Sequence, residues 1–253
     1  MKKKIMTRYR TSFGFVAALC FLFGIWLVAS LLVQKTVLPS PITVLEKLPL
    51  LFSKGMLKHV TASLYRIAIG MGVAVLLGFL LGLLMGSLPR WQSFFSPLIY
   101  LTYPIPKMAL LPIVMLLGGL GDLSKIIMIV LIVTPQVLVA VRDAVLEIPA
   151  HYYDVYRCIG GKKSKLFYKI TLPACLPAVF STSRVSLGTA ISILFFTENY
   201  GTEYGMGYFI MDAWMRMDYP AMYGGILLLS LLGLILFILL DVLADKTMRW
   251  RNH

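Results

Sequence analysis

Apolar residues in this chain come in long continuous runs, unlike the short alternating or amphipathic patterns of soluble helices and strands. A helix needs about 20 apolar residues to cross a hydrocarbon core of about 30 Å. The pattern therefore predicts an all-α, polytopic membrane protein with about six transmembrane helices. The predicted spans are 13–33, 64–86, 94–118, 124–145, 176–197 and 222–244.

The third run differs from the others because "TYPIPKMALLP" interrupts it with Pro104, Pro106 and Pro112. Proline removes a backbone donor and kinks or breaks a helix. We expect a short or broken helix here, with its freed backbone groups covered by neighbouring helices.

The first run follows a basic leader, "MKKKIMTRYR", as in a signal peptide. Its apolar part, 13–33, is longer than the signal-peptide core of about 7 to 15 residues. We therefore expect an uncleaved first span.

Composition supports the membrane interpretation. Of the residues, 59% are hydrophobic and 14% are charged, whereas soluble domains have roughly half and about a quarter. A net charge of +13 on such an apolar chain indicates cytoplasmic loops and lipid headgroups, not nucleic acid. The three cysteines and three histidines are scattered and form no metal or disulfide pattern.

Lysine and arginine placement predicts the orientation, because cytoplasmic loops are enriched in both. With the amino terminus inside, the inner segments hold 15 of the 24 basic residues and the outer segments hold 7, among them Arg66 and Lys125. Both termini are therefore predicted to be cytoplasmic. The predicted organisation is a tail 1–12, a first span 13–33, an outer loop 34–63, a transmembrane core 64–245 containing a cytoplasmic loop 146–175, and a tail 246–253.

The loop 146–175 contains "CIGGKKSKLFYKITLP", with four lysines. It is not a Walker phosphate loop, because no glycine lies at the required distance before "GKKS". We predict a helix up to Ile159, a glycine break at Gly160–Gly161, and a second amphipathic stretch closed by Leu172–Pro173. Charge alone is equally compatible with a segment resting on anionic lipid.

The spacing Gly160, nine residues, Ile170, one residue, Leu172–Pro173 resembles the cytoplasmic "EAA" loop of ABC importer permeases. Where that family has Glu-Ala-Ala, this chain has Asp154-Val155-Tyr156. The resemblance implies a coupling helix that docks on a separate ATP-hydrolysing subunit. The residues assigned to this coupling loop are Asp154, Arg157, Gly160, Gly161, Ile170, Leu172 and Pro173.

The resemblance extends from about residue 37 to the end of the chain. Over this length the sequence is similar to permeases of the nitrate, sulfonate, taurine and pyrimidine-precursor type. It includes "VLPSPITVLEKL", "LPACLPAVFSTSRVSLGTAI" and "EYGMGYFIMDAW". One departure is "LLGGLGD", where Leu117-Gly118 replaces an expected Trp-Phe.

This resemblance implies the type I permease fold in a bacterial or archaeal inner membrane, and a pathway for a small polar or anionic solute. The chain is then a transport subunit and not an enzyme, with no catalytic residue, metal or cofactor of its own. The implied partners are an ATPase dimer that binds ATP and Mg, a second permease copy, and an extracytoplasmic solute-binding protein.

Four polar residues are candidates for lining the translocation path: Lys107, Arg184, Glu198 and Asn199. Lys107 lies beside the proline break, as in transporter sites, but can equally snorkel to an interface. Arg184 either attracts an anionic solute or pairs with an acid or helix-end carbonyls. Glu198 and Asn199 end the fifth span and either line a gate or cap the helix; the resemblance places an acid at Glu198.

Gly78, Gly82 and Gly86 recur every four residues in the second predicted span. Such small-residue spacing lets two helix backbones approach closely. We assign these glycines to helix packing.

Two other classes of protein remain as alternatives. An integral membrane enzyme acting on lipid phosphates would need a cluster of catalytic side chains, and neither GxSxG nor HExxH occurs. A stand-alone carrier would move solute without an ATPase.

Overall fold

The computed structural model of the chain describes residues 2–33, 35–102, 104–248 and 250. Within these ranges the chain is helical and contains no β-strand, which confirms the all-α prediction. The α-helices are α1 (Lys2–Val33), α2 (Pro41–Ser53), α3 (Met56–Ser87), α4 (Pro89–Thr102), α5 (Leu111–Gly118), α6 (Asp122–Leu146), α7 (Ala150–Cys158), α8 (Lys163–Leu166), α9 (Leu172–Thr197), α10 (Met206–Met215) and α11 (Tyr219–Thr247). A 3-10 turn, Lys107–Leu110, precedes α5, and a π-helical turn, Phe167–Thr171, precedes α9.

Four helices in the described part of the chain are long and apolar enough to cross a membrane: Met56–Ser87, Asp122–Leu146, Phe167–Thr197 and Tyr219–Thr247. They contain four of the six predicted spans. A fifth candidate is the pair Pro89–Thr102 and Lys107–Gly118, which is bent by 85°. The apolar part of α1, Ala17–Val33, is shorter than these helices. Length and composition thus define four or five spans, and the sixth, 13–33, remains a prediction from sequence.

The chain divides into two compact units. The small unit comprises Met1–Leu57 and Phe209–Leu228, and the large unit comprises Lys58–Tyr208 and Leu229–His253.

In the large unit, α3 and α6 pack together through glycines. A Cβ built on each of four glycines in α3 would lie 2.5–2.9 Å from the Cβ of a branched residue in α6. Each pair is separated by 59 residues in sequence, so the two helices run parallel. The pairs are Gly70 with Ile129, Gly78 with Val137, Gly82 with Val141, and Gly86 with Val145.

Because α3 and α6 are parallel, the chain between them has to return to the end of the unit at which α3 begins. It makes this return, from the end of α3 to the start of α6, between residues 88 and 121. This part of the chain contains α4, a break, and the helical stretch Lys107–Gly118, with a bend of 85° between the two helical parts. The break contains Pro104 and Pro106, where the sequence predicts it.

Helix α9 returns alongside α6, and the Ser186 hydroxyl donates a hydrogen bond to Oε1 of Gln136 at 2.7 Å. Helix α11 in turn runs antiparallel to α9, because Gly233 lies beside Ile191 while Asp241 pairs with Arg184. The carboxyl end of α11 is therefore at the same end of the large unit as the loop between α6 and α9.

In the small unit, α2 begins with Ser40 as its N-cap, whose hydroxyl accepts the Thr43 N–H at 3.2 Å, as expected for this cap type. Asp218, which accepts the Ala221 N–H at the start of α11, also pairs with Lys47 of α2 at 3.0 Å. Burial alone would raise the pKa of Asp218, but the hydrogen bonds from Lys47 and the Ala221 N–H lower it below its usual range.

Element boundaries differ from the predicted organisation at two places. The predicted outer loop 34–63 contains α2 and the first turns of α3, which starts at Met56. Of the predicted tail 246–253, α11 continues to Thr247, while residues 249 and 251–253 lie outside the described residues. Met1 of the predicted tail 1–12 also lies outside them.

Candidate functional site

The glycine break of the loop 146–175 is a helix-ending turn. Helix α7 ends at Cys158, and Gly160 has φ +78°. The Gly160 N–H donates to the Arg157 carbonyl and the Gly161 N–H donates to the Tyr156 carbonyl, both at 3.0 Å. This pair of hydrogen bonds is a Schellman motif, which needs a left-handed residue after the helix and favours glycine there.

Gly161 is required for a different reason. A Cβ added to it would collide with the ring and the carbonyl oxygen of Tyr156. The two glycines therefore have different roles. Gly160 supplies the left-handed backbone conformation, and Gly161 allows the chain to pass close to Tyr156 of α7.

After the turn, the chain forms α8 and then a π-helical turn that runs directly into α9. Pro173 lies in the first turn of α9, two residues after the end of the π-helical turn. The Tyr153 and Thr171 hydroxyls are hydrogen-bonded at 3.1 Å, and Ile170 is half-buried. The loop is thus attached to the start of α9 by covalent continuity and by a side-chain contact.

One exposed side of α7, continued by the residue that follows it, is apolar. Tyr152, Val155 and Ile159 are 56%, 61% and 75% exposed, respectively, and their spacing places them on one side of the helix. Sequence reasoning did not select this face, although the i, i+3, i+7 spacing was a usable signal. The Asp154–Arg157 ion pair beside it, at 3.5 Å, is largely exposed and contributes little to stability.

At the other end of the large unit, Glu198 follows the last residue of α9 and is 1% exposed. Its carboxylate accepts hydrogen bonds from Ser63 Oγ at 2.8 and 2.9 Å, Arg66 Nη1 at 2.6 Å, and the Gly207 N–H at 2.8 Å. Arg66 also binds Asp122 of α6, with Nη2 to Oδ1 at 2.7 Å. We call Ser63, Arg66, Asp122 and Glu198 the Glu198 cluster.

Arg66 and Asp122 were not selected from the sequence. Arg66 was assigned with the outer basic residues, yet its side chain is 6% exposed. Lys125 was assigned in the same way and is buried, donating to the Leu120 carbonyl at 2.7 Å and the Gly121 carbonyl at 3.1 Å. A charged residue in the apolar stretch of a span predicts a buried partner, and Arg66 gave that signal.

The four residues selected as path candidates do not lie together in one site. Arg184 and Glu198 are 14 residues apart on the same helix, which corresponds to about 20 Å at 1.5 Å per residue. Arg184 pairs with Asp241 of α11. Lys107 begins the 3-10 turn after Pro106 and is half-buried. Asn199 is half-buried too, and its Oδ1 has no hydrogen-bond partner within the part of the chain that the structure describes.

Among the described residues, no group of three or more His, Cys, Asp or Glu side chains could hold a metal ion. The charged residues of the Glu198 cluster are bound to one another and to backbone groups. The large unit therefore has an exposed loop at one end of its helices and a buried polar cluster at the other.

Comparison with known proteins identifies the family to which this helical membrane fold belongs. Residues 74–249 match the family described as "Binding-protein-dependent transport system inner membrane component". The chain belongs to this family, and it is the permease subunit of an ABC importer in a bacterial inner membrane.

Among known relatives, the chain is 31% identical over 221 residues to SsuC of Bacillus subtilis, named as an aliphatic sulfonates transport permease, covering 87% of this chain and 80% of SsuC. It is 30% identical to the formylaminopyrimidine transport permease ThiX of Halalkalibacterium halodurans, covering 91% and 93%. It is 29% identical to the taurine transport system permease TauC of Escherichia coli, covering 90% and 86%.

A solved structure of the MetNI methionine ABC transporter in an inward-facing conformation contains a chain with the same fold. The TM-score is 0.56 at 22% identity, covering 74% of this chain and 93% of that one. This likeness supports the permease fold.

Proposed function

We propose that this chain forms the membrane pathway for a small polar or anionic solute, which a separate ATPase drives inward. The observation that carries the proposal is the family match over residues 74–249, which includes both the Gly160 loop and Glu198. Relatives over most of the chain are named for sulfonate, formylaminopyrimidine and taurine transport. Small polar or anionic compounds of these kinds are the proposed solutes.

The proposed coupling element is the loop 146–175, through the apolar face of Tyr152, Val155 and Ile159. An exposed apolar face on a short helix outside the bilayer is unfavourable in water, and such faces mark sites that a partner covers. We propose that the partner is the ATPase, which binds ATP and Mg in its own chain. The rigid turn at Gly160 fixes the angle at which α7 is presented to it.

The proposed orientation places this loop and the carboxyl end of α11 in the cytoplasm. The excess of lysine and arginine on that side supports it. The Glu198 cluster then lies on the outer side, where a solute-binding protein would deliver its solute. A second copy of this chain is the simplest partner for completing the pathway.

The test is purification of the tagged chain from its own host, followed by reconstitution in liposomes. We expect an ATPase to co-purify. We also expect uptake of taurine, an aliphatic sulfonate, nitrate or formylaminopyrimidine that requires ATP and the binding protein. Uptake without the ATPase would support a stand-alone carrier, and failure of any ATPase to co-purify would overturn the proposal.

A further inference from the structure

Glu198 occupies an electrostatically unfavourable position. It follows the last residue of α9, where the helix dipole presents its negative end, and it is almost completely buried. A buried carboxylate is tolerated only when it is paired and hydrogen-bonded. Arg66, at 2.6 Å, supplies the charge, and Ser63 and the Gly207 N–H supply further donors. A neutral cap would end the helix without this desolvation cost.

The same cluster holds the connection between α9 and α10, residues 198–205. Besides Glu198, Arg66 Nη1 binds the Tyr204 carbonyl at 2.8 Å, and the Ser63 hydroxyl accepts the Met206 N–H at 2.8 Å. Gly205 lies so close that an added Cβ would be 2.5 Å from Glu198 Cδ. Side chains of α3 and α9 thus fix the path of this connection.

The connection also contacts the start of α6. Gly201 has φ +57°, and a Cβ added to it would lie 2.7 Å from Leu120 Cβ. Asp122, at the beginning of α6, is bound by Arg66. Residues 198–205 are therefore attached to three helices, α3, α6 and α9, at one end of the large unit.

Helix α9 links this end to the loop 146–175. The helical stretch Phe167–Thr197 is continuous over 31 residues, about 45 Å at 1.5 Å per residue. This helix therefore joins the loop to Glu198, and Arg66 joins Glu198 to α3 and, through Asp122, to α6.

We propose that Arg66 and Glu198 are positioning residues for transport, which hold the connection 198–205 against α3 and α6 at the end of α9, so that a movement of α9 displaces these groups together. This inference rests on the proposed coupling to an ATPase. In this proposal the pair transmits a change at the loop to the opposite end of the helices, in addition to stabilising the fold.

The test uses a labelled cysteine in the connection, in the complex of the full chain with its co-purified ATPase. Cys20, Cys158 and Cys175 are replaced by alanine, and the exposed Glu203 is replaced by cysteine. Maleimide labelling is measured with and without ATP plus vanadate. In the otherwise wild-type chain we expect the labelling rate to change by about threefold or more, because ATP shifts the population of conformations.

In Glu198→Gln we expect this ATP-dependent change to disappear, because the neutral amide no longer pairs with Arg66. Gly205→Ala is the second variant: it keeps every charge but displaces the carboxylate, and we expect the same loss. Gly121→Ala is the matched control at the same end of α6, where an added Cβ meets nothing within 4 Å, and it should respond as the wild type does. Arg66→Lys, which keeps the charge, should retain part of the response.

A normal ATP response in Glu198→Gln and Gly205→Ala would overturn the inference, as would an equal loss in Gly121→Ala. Failure of the proposed function is recognised separately: the wild-type background would then bind no ATPase and show no response to ATP. If Glu198→Gln does not accumulate in the membrane, Gly205→Ala decides the question.

Discussion

Gly82 of α3 lies against Val141 of α6 so closely that a Cβ added to Gly82 would be 2.7 Å from the Val141 Cβ and 2.7 Å from the Leu138 carbonyl oxygen. The carbonyl belongs to the backbone of a helix and cannot move aside as a flexible side chain can. The contact brings two parallel helices together over several turns.

Gly82→Ala should therefore destabilise the protein by about 1–3 kcal/mol, the usual cost of overpacking. Thermal unfolding in detergent would measure the loss. Gly72→Ala is the matched control on the same helix, because its Cβ would meet nothing within 4 Å. Equal melting temperatures for the two variants would contradict the packing role of Gly82.

Gly160→Val should leave the chain inserted in the membrane but uncouple ATP hydrolysis from uptake. A β-branched residue at φ +78° is strained, by about 1–2 kcal/mol or more, so the turn opens and α7 is presented at another angle. The measurement is the amount of solute taken up per ATP hydrolysed. Gly160→Asn should retain coupling, since asparagine tolerates the left-handed conformation; normal uptake by Gly160→Val would remove the role of the turn.

Arg184→Ala should lower the amount of protein in the membrane, because it leaves Asp241 without its partner inside a span. A loss of about 1–2 kcal/mol is enough to change abundance several-fold. Asp241→Ala should have a similar effect, and exchanging the two residues should restore part of the yield. Normal yield with impaired uptake in Arg184→Ala would instead indicate that Arg184 lines the path.

The Lys47–Asp218 pair should make stability depend on pH. Because the folded-state pKa of Asp218 is lowered, its contribution is fully present above the unfolded value of about 3.9. It is lost as the pH falls from that value through the lower folded one. The melting temperature of the wild type should therefore drop over this range by more than that of Asp218→Asn. Parallel pH profiles would contradict the assignment.

The helices of the large unit follow from apolar run length, but their contacts do not. The runs 64–86, 124–145, 176–197 and 222–244 lie within helices that the structure contains. The true start of α3 at Met56 was missed because "MLKHVTASLYR" mixes polar and apolar residues over its first three turns. Run length reports the lipid-facing stretch of a helix and not its polar ends.

The turn at Gly160 could be predicted because its signal is local: two glycines directly follow a helical stretch. The Arg66–Glu198 pair could not, because its members are 132 residues apart and only the packing of α3 on α6 and α9 brings them together. The π-helical turn Phe167–Thr171 likewise has no local signature, since the same residues are compatible with an ordinary helix.

The paired positions of α3 and α6 are always 59 residues apart, and this constant separation limits which insertions and deletions the two helices tolerate. Deleting one residue between Gly70 and Gly78 would rotate the remainder of the helix by about 100° and move Phe79 and Leu83 into the places of Gly78 and Gly82. Insertions and deletions should therefore be rare in these two helices among orthologues. Those that survive should cluster near residues 104–106, where the backbone already departs from helical geometry.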